Sequence, residues 1–188
     1  QAWLDKMSHN GIAPDAVSFN TAEKALCKLL AQGTKVSASC FNTLISAYAK
    51  AHQPQDAHRV FGLMQQAQTP ASLTTFNSLA NAHAGGGDLA SVETVLAQAV
   101  SQGFDLDRYS YGALLQAVAK GAGPNKRAAR EAGLPVVRRL LDSGVPLNDH
   151  LRFQSRRVLG DDGFAQLCAE HQATPPRQHP LTRRQTSA

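Results

Sequence analysis

Apolar residues recur at helical spacing along most of the chain, and the pattern restates itself. The stretch CFNTLISAYAK at residues 40–50 reads as one amphipathic helix. Nearly the same helix returns at residues 75–85 as TFNSLANAHAG, and more loosely at residues 110–120 as SYGALLQAVAK. A shift of 35 residues aligns Phe41, Phe76 and Tyr111; Leu44, Leu79 and Leu114; Ala47, Ala82 and Ala117; and Ala49, Ala84 and Ala119. Further along, Val60 and Phe61 fall on Val95 and Leu96. Matches at a fixed period and at helical spacing describe one buried stripe repeated.

Each period predicts two helices. After the first comes a break, HQPQ at residues 52–55, GGGD at 85–88 and GAGP at 121–124, where turn and N-cap residues occupy the same slot each time. A second helix follows: QDAHRVFGLMQQA, then LASVETVLAQAVSQG, then KRAAREAGLPVVRRLLDSG. Gly103 and Gly144 stand where a helix-ending glycine belongs. One such hairpin cannot bury its apolar stripe alone, whereas stacked neighbours can, so the pattern predicts an all-α solenoid of about 35-residue repeats.

Composition agrees. Only 6% of the residues are aromatic and alanine is frequent, which suits closely packed small helices. The formal charge of +5 is unevenly placed: residues 1–107 carry six Lys/Arg against eight Asp/Glu, and residues 108–188 carry thirteen against six. A net of −2 beside a net of +7 points either to a polyanion partner or to a solvated basic face with a disordered tail. Cys27, Cys40 and Cys168 form no CxxC pair, so neither a disulfide framework nor a zinc site is expected. The histidines lack acidic or cysteine partners at ligand spacing, and no nucleophile–base or paired-carboxylate arrangement occurs, so no metal, cofactor or catalytic activity is expected. Gly85, Gly86 and Gly87 follow no strand and precede no Gly-Lys-Ser, and read as a turn between helices rather than a phosphate loop. The chain opens on Gln1 inside a helical pattern and reads as a piece of a longer protein.

The aromatic-Asn-[Thr/Ser]-Leu opening of the first helix, the second helix, and the ending LDKMSHNGIAPD at residues 4–15 together resemble the pentatricopeptide repeat family. The tetratricopeptide repeat has a shorter period and a Trp, Leu-Gly, Tyr signature that is absent; Trp3 falls in a second helix. The resemblance covers residues 1–148 and implies a right-handed α-solenoid. Residues 1–15 would be a partial repeat, 16–37 a shortened one, 38–72 and 73–107 two full ones, and 108–148 a lengthened one. Phe19 to Phe41 is 22 residues, so the second unit lacks most of its first helix, and Asp15 is expected to cap one continuous helix there. Gly133 and Pro135 are expected to split the second helix of the lengthened unit. Residues 149–171 read as a terminal capping pair and residues 172–188 as a disordered basic tail.

The resemblance also implies a function: semi-selective binding of single-stranded RNA, one base per repeat, in organellar RNA metabolism, without catalysis. The family reads a base with the residue just after the helix A aromatic, helped by the last residue of the repeat. Carried over, the pairs are Asn42 with Ser72 and Asn77 with Asp107, with Asn20 and Ser37 in the shortened unit and the unreading Gly112 with Asn148 in the lengthened one. The same resemblance places Ser39, Thr74 and Tyr109 where bases are sandwiched, and Lys50 and Lys120 where phosphates are contacted, with Gly85 in the matching slot. It implies a mitochondrial or chloroplast location, with any targeting segment outside this chain. The alternative is a structural solenoid within a larger ribonucleoprotein, such as an organellar ribosome, holding protein and RNA; Gly112, the irregular units and the basic second half favour it.

Overall fold

The computed structural model describes residues 16–173, with side chains described for residues 21–172. Among the described residues there are nine helices and no strand. They are α1 (Ala16–Ala31), α2 (Ala38–Lys50), α3 (Pro54–Gln66), α4 (Leu73–Ala84), α5 (Leu89–Ser101), α6 (Arg108–Gly121), α7 (Lys126–Asp142), α8 (Asp149–Leu159) and α9 (Asp161–Ala173). The first helices of successive hairpins, α2, α4, α6 and α8, pack one on the next in series. Helices α3, α5 and α7 each lean on their own hairpin partner and on the first helix of the following hairpin. The aligned positions are the buried ones: Phe41, Phe76, Tyr111, Leu44, Leu79 and Leu114 are all at most 3% exposed. The repeat is therefore a repeat of core, and burying that shared stripe holds the all-α solenoid together.

The shortened unit is one helix, α1, and a polar clasp fastens it. Glu23 is buried to 8% and faces the next hairpin. Its carboxylate accepts from Tyr48 Oη at 2.8 Å and from Arg59 Nε and Nη2 at 2.6 Å each, while Arg59 also reaches Asp56 at 2.8 Å. The Arg59 guanidinium, helped by the Tyr48 hydroxyl, outweighs burial and holds the Glu23 carboxyl below the usual carboxylate range. Next to Arg59 on α3, His58 Nε2 lies 2.8 Å from His83 Nε2, and Asp88 approaches the other ring nitrogen of His83 at 3.5 Å. Burial, and then the neighbouring His83, push His58 below the ordinary imidazole value. Both depressed groups give one sign. The contribution of His58 is present above about pH 6.5 and falls away below it. That of Glu23 is present above about pH 4.5 and is lost as pH falls through its lower folded value. Thermal unfolding followed against pH is expected to show stability declining in two stages on acidification. His58→Gln should flatten the upper stage and Glu23→Gln the lower; unchanged profiles in both variants would refute these assignments.

The lengthened unit departs from expectation. Its second helix is unbroken from Lys126 to Asp142, with Pro135 inside it. Proline removes one N–H and leaves the carbonyl of Glu131, four residues earlier, without its helical donor. Both residues lie on the exposed side, while Val136, Val137 and Leu140 stay buried on the other. Gly133 is used for closeness: a Cβ there would run into Val158 Cγ1. The helix keeps its course because α8 packs onto that glycine. At the far end, α9 runs through Ala173, so Gln172 and Ala173 are helical although both fall in the stretch expected to be disordered. Residues 174–188, the tail beyond them, lie outside the described residues, as do Asp15 and the partial repeat at residues 1–15.

Candidate nucleic-acid interface

The candidate readers sit near the N-terminal ends of the stacked first helices. Asn42 is half-buried on α2 and Asn77 is 7% exposed on α4. Each is tied to the following hairpin. Thr75 Oγ1, three residues into the start of α4, donates to Asn42 Oδ1 at 2.7 Å. One repeat on, Ser110 Oγ donates to Asn77 Oδ1 at 2.7 Å. The same hydroxyls serve their own helix ends, since Ser72 N donates to Thr75 Oγ1 at 3.1 Å and Asp107 N to Ser110 Oγ at 3.3 Å. Reciprocal bonding of this kind satisfies free donors at a helix start.

The helpers differ between the two slots. Asp107 caps α6 by accepting from Tyr109 N at 2.9 Å and Ser110 N at 3.0 Å, and it also accepts from Asn77 Nδ2 at 3.0 Å. Asn77 and Asp107 are therefore joined directly. Ser72 reaches Thr75 Oγ1 at 3.3 Å and is joined to Asn42 only through that hydroxyl. In the shortened unit Ser37 precedes α2 with its hydroxyl 3.4 Å from Cys40 Sγ. Asn20 belongs to α1, and its side chain lies outside the described residues.

Of the other candidates, Ser39, Thr74 and Tyr109 are exposed at the second position of α2, α4 and α6. Lys50 and Lys120 are exposed in the last turns of α2 and α6. At Gly85, the matching residue after α4, the His52 ring fills the space that a Cβ would take. The turn of the preceding hairpin occupies that place.

Two residues, His150 and Phe153, were missed. Because α8 stacks on α6 as the next first helix, its cap Asn148 stands where Ser72 and Asp107 stand, accepting from Leu151 N at 2.8 Å. Counting on, His150 takes the place of Thr74 and Tyr109, and Phe153 that of Asn42, Asn77 and Gly112. Phe153 is 63% exposed, Tyr109 is 57% exposed, and the Arg108 guanidinium lies 4.9 Å from the Tyr109 ring centre. His150 Nε2 lies 4.0 Å from where a Gly112 Cβ would be. Leu151, buried, replaces the hydroxyl of Thr75 and Ser110. The available signal was Asn148 as a cap, which sets the register for everything after it.

A series of stacked helical hairpins with equivalent polar positions along one end of its first helices defines a helical-repeat solenoid. Residues 36–85 match the model of the PPR repeat family, so that stretch is pentatricopeptide repeat sequence. Among solved structures the chain is similar to the pentatricopeptide repeat protein PPR10 in complex with an 18-nucleotide psaJ RNA element. The two are 26% identical with a TM-score of 0.53, over 92% of this chain and 27% of that one. It is similar also to PPR10 from maize, at 26% identity and a TM-score of 0.52, over 90% of this chain and 25% of that one. The chain thus spans about a quarter of the length of the structures it matches. No curated protein matches it by sequence.

Proposed function

We propose that this chain is a segment of a single-stranded RNA-binding repeat protein acting in organellar RNA metabolism. The strand would run across the starts of α2, α4, α6 and α8. One observation carries the reading: Asn42 and Asn77, 35 residues apart, hold the same place on successive helices and are fixed by the same kind of bond from the next. An amide offers a donor and an acceptor to a base edge, and two such groups at repeat spacing suit successive bases. Ser72 and Asp107 adjust them. Ser39, Thr74 and Tyr109 lie beside the bases, and Lys50 and Lys120 meet phosphates. Beyond Asn77 the chemistry changes from amides to Gly112 and then Phe153, with Tyr109 and His150 beside them. Such a surface holds bases by stacking, irrespective of identity.

The same exposed aromatics and the missing reader at Gly112 favour the second reading, a scaffold inside a larger ribonucleoprotein, in which Tyr109 and Phe153 meet protein. Titration of oligo-U, oligo-C and oligo-A at moderate salt separates the two. The wild type is expected to prefer pyrimidines, which the family resemblance implies for an asparagine reader, with Asp107 leaning to U and Ser72 to C. The Asn42→Ala/Asn77→Ala double variant should lose that preference yet keep binding that falls steeply with salt. Equal binding of all three by the wild type, unaltered in the variant, would remove sequence reading and leave the scaffold.

A further inference from the structure

The geometry points to Ser110 as a specificity-determining residue that, together with the Asp107 carboxylate, forms a latch fixing which way round the Asn77 amide faces, and therefore which hydrogen-bond pattern a base meets. The inference rests on the base-reading role of Asn77 and deepens it. An asparagine amide can turn over, exchanging its donor and acceptor ends, and only its partners decide which end points where. At Asn77 two partners agree. Asp107 Oδ1 lies 3.0 Å from one end and is an acceptor; Ser110 Oγ lies 2.7 Å from the other. Turned over, the amide oxygen would face the Asp107 carboxylate with no proton between them. Ser110 has a single hydroxyl proton, and its second acceptor, Asp107 Oδ1, is more distant at 3.2 Å. The proton therefore goes to Asn77, and Asp107 N, donating to Ser110 Oγ at 3.3 Å, holds the hydroxyl in place. This leaves Asn77 one N–H and one oxygen lone pair in fixed order, so one base edge fits and its reverse does not.

Asn42 has the same hydroxyl without the carboxylate. Thr75 Oγ1 donates to its Oδ1, but Ser72 Oγ is 3.3 Å from Thr75 Oγ1 and either can be the donor. The Thr75 proton can move to Ser72 while Asn42 turns its Nδ2 toward Thr75 and keeps one bond. The first slot is reversible and the second is latched. In the next slot reader and latch disappear together, as Gly112 and Leu151.

The test uses Ser110→Ala, Ser110→Thr and, as the reversible slot, Thr75→Ala, in the same chain. Threonine already fills this place at position 75, so Ser110→Thr keeps the hydroxyl. With oligonucleotides differing at one base, Ser110→Ala is expected to cut the discrimination at the Asn77 slot by about fivefold, the factor of one hydrogen bond. The salt dependence should stay unchanged and Ser110→Thr should restore the discrimination. Thr75→Ala should change discrimination at its own slot by less. Side-chain amide hydrogen exchange, read by NMR without RNA, tests the latch independently: Asn77 Nδ2 protons should exchange more slowly than those of Asn42, and Ser110→Ala, which frees the amide oxygen while Asp107 still holds Nδ2, should narrow the difference without abolishing it. Unaltered Asn77 exchange in Ser110→Ala overturns the latch. A wild type without base preference overturns base reading instead, and the exchange measurement then decides the latch alone.

Discussion

Phe76→Ala is expected to lower stability by about 3–5 kcal/mol, the cost of emptying a fully buried aromatic site. Phe76 is 0% exposed, and its ring meets two others. Phe61, on α3 of the preceding hairpin, lies edge-on at 5.6 Å, and Phe104, beyond α5, lies at 5.9 Å. One ring thus joins α3, α4 and the segment that follows α5. In a solenoid each repeat is held by its neighbours, so the loss should fall on coupling as well as on total stability. A melting midpoint lower by roughly 6–20 °C is expected for a chain of this size. The urea transition should broaden as the two flanks begin to unfold separately. Phe76→Leu, which keeps most of the volume, should recover most of the loss. A penalty below about 1 kcal/mol for Phe76→Ala would mean that the ring does not tie the hairpins together.

Gly87→Ala is expected to cost about 2–4 kcal/mol, from two sources that a control separates. Gly87 has φ +78°, a backbone conformation that penalises any L side chain. A Cβ there would also stand 2.5 Å from Gly121 N and 2.8 Å from Gly121 Cα. Those atoms are backbone, at the end of α6, so they cannot move aside as a side chain would. Gly103 has φ +88° with nothing within 4 Å of a Cβ. Gly103→Ala should therefore show the conformational cost alone, about 1–2 kcal/mol. Urea unfolding of the two variants decides the matter: equal penalties would show that the approach of the turn to α6 contributes nothing.

The fold was open to sequence reading because its signal is periodic. Phe41, Phe76 and Tyr111 are buried for one reason in three places, and a period of 35 makes that visible. Local exceptions were harder, because their causes lie in other hairpins. Pro135 reads as a break until it is seen on the exposed side of α7, opposite Val136 and Val137. Gly85 reads as a lost contact until His52 is found in its space. The candidate readers could be listed from register, but not their state: that Asn77 is already bonded at both ends depends on Asp107 and Ser110, thirty and more residues later. His150 and Phe153 were missed because the aromatic marker fails at Arg152, although the cap at Asn148 keeps the count.

The bonds from Thr75 to Asn42 and from Ser110 to Asn77 all cross from one hairpin to the next. The unit that folds, a first and second helix, is consequently offset by a few residues from the unit that holds an amide. Cutting or grafting at hairpin boundaries would divide every such pair. An exchange of the α4–α5 hairpin alone would replace the partners of Asn42 as well as Asn77 itself. Transferable modules in this chain therefore begin and end inside helices, and a designer who splices at the turns inherits a mismatched seam on either side.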